Sequence, residues 1–195
     1  VFVVFCHPLS DSFAAEVHRR ALAGLRSGGH EVRGSDLYAE GFRPELSAAE
    51  HVHHLDPPER TPGVDDLTHH FDNLRWCDHL VLVYPTWWSG QPAMLKGWID
   101  RVWAYGVAFE RPAGAARITS LLGNIRTVTA ITVHGSSKFV NIIEGESGKR
   151  VVTRSIRLLC SRRCTTRWIA LYGVDRSSSN DRSAFLDRVE RRMRR

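Results

Sequence analysis

Cysteines, glycine-rich phosphate motifs and long apolar runs are all scarce in this chain. Its four cysteines, Cys6, Cys77, Cys160 and Cys164, form no C-x-x-C pair in 195 residues, which argues against a disulfide scaffold and for a reducing compartment. Neither G-x-G-x-x-G nor a P-loop occurs, so a dinucleotide fingerprint and a triphosphate loop are both unsupported. No apolar run approaches the roughly 20 residues of a membrane span, and the opening VFVVFC lacks the basic flank and cleavage site of a signal peptide. The expectation is a cytoplasmic protein without stable membrane insertion. No repeat or linker divides the sequence, and its length suits one domain over 1–195.

Acidic residues become scarce toward one end. Val1 to Gly148 carry a net −4, whereas Lys149 to Arg195 carry +10. Arg150, Arg154, Arg157, Arg162, Arg163 and Arg167 all precede the next acid, Asp175. Such a segment suits nucleic acid, an acidic membrane or a phosphorylated cofactor. It lacks the aromatic interleaving that a stacking surface needs and has no nucleic-acid module, so it reads first as a solvated helix face, and nucleic acid is not an expected partner.

What is present is an alternation of strands and helices. Val1 to Cys6 and His79 to Tyr84 are continuous apolar runs, each stopped by a proline, as expected of strands buried on both faces. Arg126 to Val133 and Arg167 to Tyr172 are two more, and Glu31 to Leu37, weakly apolar, suits a sheet edge. Helical spacing marks Phe13, Val17, Ala21 and Leu25, ending at Gly28-Gly29, and again Val64, Leu67, Phe71 and Leu74. Further helical stripes run through Met94 to Trp103, Val152 to Leu159, and Phe185 to Met193, with one short helix possible near Ser47 to His54. Strands alternating with helices in this way imply right-handed crossovers and a parallel sheet covered on both faces.

In such a sheet, ligands bind beyond the carboxyl ends of the strands, where strand order reverses. Three loops therefore attract attention. In the first, from His7 to Phe13, Ser10, Asp11 and Ser12 stand at a helix start, where free N–H groups favour phosphate; alone it is an ordinary cap. The second, Pro85 to Pro92, holds Thr86, Trp87, Trp88 and Ser89, and two bulky aromatics at a strand end suit a flat conjugated ligand. The third, from His134 to Asn141, offers Gly135 for close approach, the hydroxyl of Ser136, and His134 or Lys138 to meet developing negative charge.

At these residues the sequence resembles the NAD(P)H:quinone oxidoreductase family. Pro85, Trp87, Trp88, Pro92 and the run LKGWIDRVW from Leu95 to Trp103 carry the likeness, joined by His7 with Phe13 and by Gly106, Ala108 and Phe109. The likeness fades after about Lys149. It implies a flavodoxin-like, doubly wound α/β fold with five parallel strands in order 2-1-3-4-5. It further implies hydride transfer from NAD(P)H through a bound flavin, FAD in preference to FMN, to a quinone-like acceptor, within a homodimer. An alternative is a flavin-binding regulatory or ancillary subunit with little turnover. By the resemblance, His7, Ser10, Ser12 and Phe13 match the flavin's phosphate and ribityl loop. Pro85 to Ser89 match its ring cradle, and His134, Gly135 and Ser136 its polar edge. Phe109 and Trp88 fall on the substrate side. The family's tyrosine and histidine of the third loop are replaced by Asn141 and Ser147, which leaves His134, Lys138 and Asn141 as candidate catalytic residues.

Other clusters carry less. His51, His53, His54, His69 and His70 invite a metal, but no cysteine or paired carboxylate completes a set, so none is expected. Cys160 and Cys164 read as buried or incidental thiols, and Lys96 and Arg101 as helix-surface cations. Trp98, Trp103 and Phe109 look like more aromatic surface than one small sheet covers, which favours an interface.

Overall fold

The computed structural model describes residues 1–195. Five strands, β1 (Phe2–Phe5), β2 (Arg33–Asp36), β3 (His79–Thr86), β6 (Thr127–His134) and β7 (Thr165–Tyr172), form one parallel sheet in the order β2-β1-β3-β6-β7. This is the expected 2-1-3-4-5 order once the small antiparallel hairpin of β4 (Phe109–Glu110) and β5 (Thr119–Ser120) is set aside. The alternation within each strand explains the continuous apolar runs. Val3, Phe5, Val81, Val83 and Ile131 face α1 (Phe13–Ser27) and α7 (Ser179–Met193). Phe2, Val4, Leu80, Leu82 and Val128 face α3 (Thr68–Trp76) and α4 (Ala93–Val102). No helix is long and apolar enough to cross a membrane.

The long connection from β2 to α3 contains one short helix, α2 (Ala48–Val52), and α4 ties it down. A Cβ on Gly97 would lie 2.1 Å from the Pro44 carbonyl oxygen, so only glycine lets the connection cross α4 this closely. One turn on, Arg101 is 3% exposed, not the surface cation its helix position suggests. Its guanidinium donates to Glu50 Oε1 at 2.7 Å and the Arg43 carbonyl at 2.6 Å, and reaches Asp66 and the Gly63 carbonyl. Lys96 does remain outside, paired with Asp100. Trp98 is buried and Trp103 is 8% exposed, so both belong to the core and supply no surplus surface. All four cysteines are buried and unpaired.

After α5 (Lys138–Ile143) and α6 (Ser147–Arg150), the chain makes a π-helical turn over Val151–Ile156. The wider turn breaks the spacing that would put Arg150, Arg154 and Arg157 on one exposed face. Arg157 is half-buried and donates to the Cys164 carbonyl at 3.0 Å.

Replacing Arg101 with alanine leaves Glu50 buried without its partner and should cost about 3–5 kcal/mol in urea unfolding. Lys96→Ala, on the same helix but exposed, should change stability by less than about 1 kcal/mol; equal effects would contradict the clamp. A second expectation concerns acid. Burial pushes His70 down to about 3, and His18 and His79 down to about 4, from the usual 6.5. The unfolded chain therefore takes up protons near pH 6.5 that the folded protein does not. Stability should fall as pH drops from 6.5 to 5, at about 1.4 kcal/mol per pH unit for a fully buried histidine such as His70. Flat unfolding free energies across that interval would rule this out.

Candidate functional site

The carboxyl ends of β1, β3 and β6 carry the three loops that the sequence singles out. At the first, Ser12 caps α1, its hydroxyl accepting from the Ala15 N–H at 3.2 Å while donating to the Leu9 carbonyl at 2.9 Å. The N–H groups of Phe13 and Ala14 have no acceptor in the protein, leaving two aligned donors at the positive end of the helix dipole. His7 is fixed beside them, its Nδ1 accepting from the Leu9 N–H at 3.0 Å. Ser10 stands outside this group: it is exposed, and its carbonyl accepts from Arg19 at 3.2 Å.

The second loop is a tight turn. Trp87 and Gly90 exchange backbone hydrogen bonds of 3.2 and 3.0 Å, with Trp88 at φ 48° and Ser89 at φ 60° between them. Two left-handed residues in succession define a type I′ turn, a conformation that normally selects Asn or Gly. Here a tryptophan adopts it and gains no packing, because Trp88 is fully exposed. The turn is held from outside by the start of α6. Ser147 Oγ donates to the Ser89 carbonyl at 2.6 Å and the Gly148 N–H to the same oxygen at 3.0 Å. A Cβ on Gly148 would come within 3.2 Å of that oxygen. Gln91 Nε2 donates to the Gly148 carbonyl, and Ser89 Oγ donates to Glu144.

In the third loop, His134 ends β6 opposite Thr86 of β3. It is 4% exposed, with Nε2 3.3 Å from Thr86 Oγ1 and its ring stacked on Tyr172 at 4.5 Å. Nδ1 has no hydrogen-bond partner. Burial pushes its pKa down, offset in part by the adjoining Asn141 side chain and by Glu146 and Glu144, so the ring is neutral at pH 7. Asn141 is itself buried, and its Nδ2 donates to Ser136 Oγ at 2.9 Å and to the Ser137 carbonyl at 2.8 Å, shaping the loop.

Two adjoining clefts result. One, of about 350 Å³, is lined by Thr86 to Ser89, His134 to Ser136, and Asn141. The other, of about 450 Å³, runs over His7, Ser12, Phe13 and Pro85 to Arg182. Thr86, Trp87 and Gly135 line both. Lys138 faces a different cleft, at the outer edge of β7. Phe109 lies outside all three, half-buried against the core with its ring edge-on to Tyr105. Sequence reasoning missed Arg182, which lies 5.8 Å above the Phe13 ring and donates to Ser177 Oγ and the Val174 carbonyl. Its only signal is its place in the basic tail. Of the five histidines, His69 and His70 converge, with Glu40. Trp98 Nε1 donates to His70 Nδ1 at 3.2 Å, so Nε2 carries the ring proton and faces Glu40 as a donor, unlike a metal ligand.

A left-handed tryptophan costs about 1–2 kcal/mol, some of which glycine's flexibility offsets. Trp88→Gly should therefore raise the unfolding free energy by about 1 kcal/mol, measured in urea; a loss of stability would mean that the indole packs in solution.

A family model described as flavodoxin-like fold matches residues 1–192. The uncharacterized NAD(P)H oxidoreductase YcaK of Escherichia coli is 34% identical over 132 residues, covering 63% of this chain and 64% of that protein. Human ribosyldihydronicotinamide dehydrogenase [quinone] is 31% identical over 125 residues, 57% of this chain and 54% of the enzyme. Among solved structures, an NAD(P)H:quinone oxidoreductase from Methanothermobacter marburgensis superposes with a TM-score of 0.78 at 27% identity, covering 99% of this chain and 94% of that one. The first curated relatives are matched over 44% to 64% of their own length.

Proposed function

Because the chain belongs to the flavodoxin-like fold family, we propose that it is a flavin-dependent oxidoreductase that passes hydride from NAD(P)H to quinones or similar two-electron acceptors. The observation that carries this reading is the pair of clefts sharing Thr86, Trp87 and Gly135. One opens on unpaired helix N–H groups suited to phosphate, the other on an exposed aromatic turn suited to a flat ring. The residues fit such a group: a strained turn that presents Trp88 without packing it is conformational cost retained for something other than stability.

Phe13 and Ala14 N–H would hold the phosphate end, with Ser12 capping the helix that presents them. Trp87, Trp88 and the turn backbone would hold the ring, with Gly135 and Ser136 at its polar edge. A bound flavin supplies two-electron acceptance from a nicotinamide and donation to an acceptor. The chain's part is to bind, orient and shield. His134, neutral and desolvated, offers one N–H and no charge, while Ser147 and Gly148 keep the turn in place.

FAD is the proposed form, supported by Arg182, a cation fixed by two hydrogen bonds that lines the phosphate cleft beside the Phe13 ring and could meet a second phosphate there. A homodimer is proposed as well. Its support is exposed apolar surface: Phe139 and Ile143 of α5 are each 70% exposed, and Trp88 is fully exposed.

Purified protein reconstituted with FAD should show visible flavin absorbance and oxidise NAD(P)H in the presence of a soluble quinone. Arg182→Ala should weaken FAD by about tenfold and leave FMN nearly unchanged, because only FAD carries the second phosphate. Protein that stays colourless with both flavins would overturn the proposal, and flavin binding without quinone-dependent oxidation would reassign the chain as an ancillary subunit. A strictly monomeric species in light scattering would exclude the dimer.

A further inference from the structure

The basic character of the carboxyl-terminal quarter is concentrated in a place its spacing does not foretell. β7 is an edge strand, and along its open side runs a cleft of about 450 Å³. Lys138, Lys149, Arg167, Arg188 and Arg192 line it, and no carboxylate does. Cations on an open edge are a common protection against strand addition, and Arg188 serves in that way by donating to the Ala170 carbonyl at 2.9 Å. That account does not extend to the others. Lys138, Arg167 and Arg192 make no ion pair, and Lys149 is paired only with Glu146 of its own turn. Like charges gathered in one concave site repel one another unless an anion joins them.

The cleft also has an aromatic wall in a fixed pose. Trp168 Nε1 donates to the Tyr172 hydroxyl at 3.2 Å, and Tyr172 stacks on His134. His134 belongs to the ring cleft and Tyr172 to the basic one, so the stacked pair is the partition between them. A gap of about 10 Å³ lined by His134, Lys149, Trp168 and Tyr172 lies in that partition. One short segment serves both clefts: Ser136 lines the first, and Lys138, two residues later, lines the second. Cations without counter-ions beside a half-buried indole are the complement of a phosphorylated nucleoside, with phosphate against the cations and base against the ring.

We propose that the β7 edge binds the phosphate groups of an adenine nucleotide. In the reaction proposed above, this is where the phosphate-bearing arm of the nicotinamide donor rests, with a 2′-phosphate favoured over a hydroxyl. Only that last identification depends on the proposed activity; nucleotide binding stands or falls by direct measurement.

Titration calorimetry at low salt with adenosine 2′,5′-bisphosphate, on the intact protein with and without added flavin, tests it. Saturable binding that weakens as salt is raised is expected, with adenosine failing to bind. Arg167→Glu combined with Arg192→Glu should weaken binding by about tenfold or more. The same charge change at Arg162 and Arg163, exposed residues outside the cleft, should leave it intact, as should flavin content and melting temperature in both double variants. In steady state the first double variant should raise KM for NADPH more than for NADH at similar kcat. No saturable binding, equal weakening by both double variants, or displacement of the nucleotide by a DNA duplex at lower concentration would overturn the proposal. Bisphosphate binding with no difference between NADPH and NADH would keep the site and remove its link to the donor.

Discussion

β3 and β6 pair in parallel along eight residues, from His79 opposite Thr127 to Thr86 opposite His134. That register decides where the chemistry falls. Thr86 Oγ1 lies 2.9 Å from Thr132 Oγ1 and 3.3 Å from His134 Nε2, so the last turn of the ladder is continued by side chains. Since both strands are buried on both faces, a slip of one residue would exchange the side chains facing α1 and α7 with those facing α3 and α4. The two clefts are thus pinned to the sheet, and the loops that form them inherit positions they could not hold alone.

Those loops are held by glycine contacts as much as by hydrogen bonds. Gly97 lets the 38–67 connection cross α4, Gly148 lets α6 press on the tryptophan turn, and Gly135 lets Asp175 approach the third loop, where a Cβ would meet its Oδ2 at 2.8 Å. In each case a backbone segment is placed by another backbone or by a short side chain. The strain in Trp88 and Ser89 persists because Ser147 and Gly148 both bond the Ser89 carbonyl. Without that restraint a turn lacking glycine at its two central positions would relax toward negative φ.

The sheet is legible in the sequence because its central strands are apolar on both faces, and a run such as HLVLVY suits no other setting in a chain of this kind. β2 is legible only by its place, for RGSD buries Ser35 alone. Arg101 was not legible. Its partners Glu50 and Asp66 stand 51 and 35 residues away in a stretch with little periodicity, and a cation on an amphipathic helix ordinarily faces water. The π-helical turn at Val151–Ile156 was equally hidden, since one extra residue per turn leaves the apolar spacing of Val152 and Ile156 unchanged. In the candidate site, strand ends and helix starts foretold which loops converge. They did not foretell that Lys138 turns to the β7 edge, because two residues past a strand end the chain can take either side.

The two positions at which this chain departs from the resembling family are now occupied by residues with structural duties. Asn141 spends its Nδ2 protons on Ser136 and Ser137, and the Ser147 hydroxyl is committed to the Ser89 carbonyl. Of the titratable groups lining the ring cleft, Glu144 accepts from Ser89, which leaves His134. A desolvated neutral imidazole gives up its N–H proton far less readily than an imidazolium does. On the proposed reading, His134 therefore polarises and orients through one hydrogen bond, negative charge in the cleft is met by backbone dipoles of the third loop, and the protons that an acceptor requires come from water at the cleft's open side.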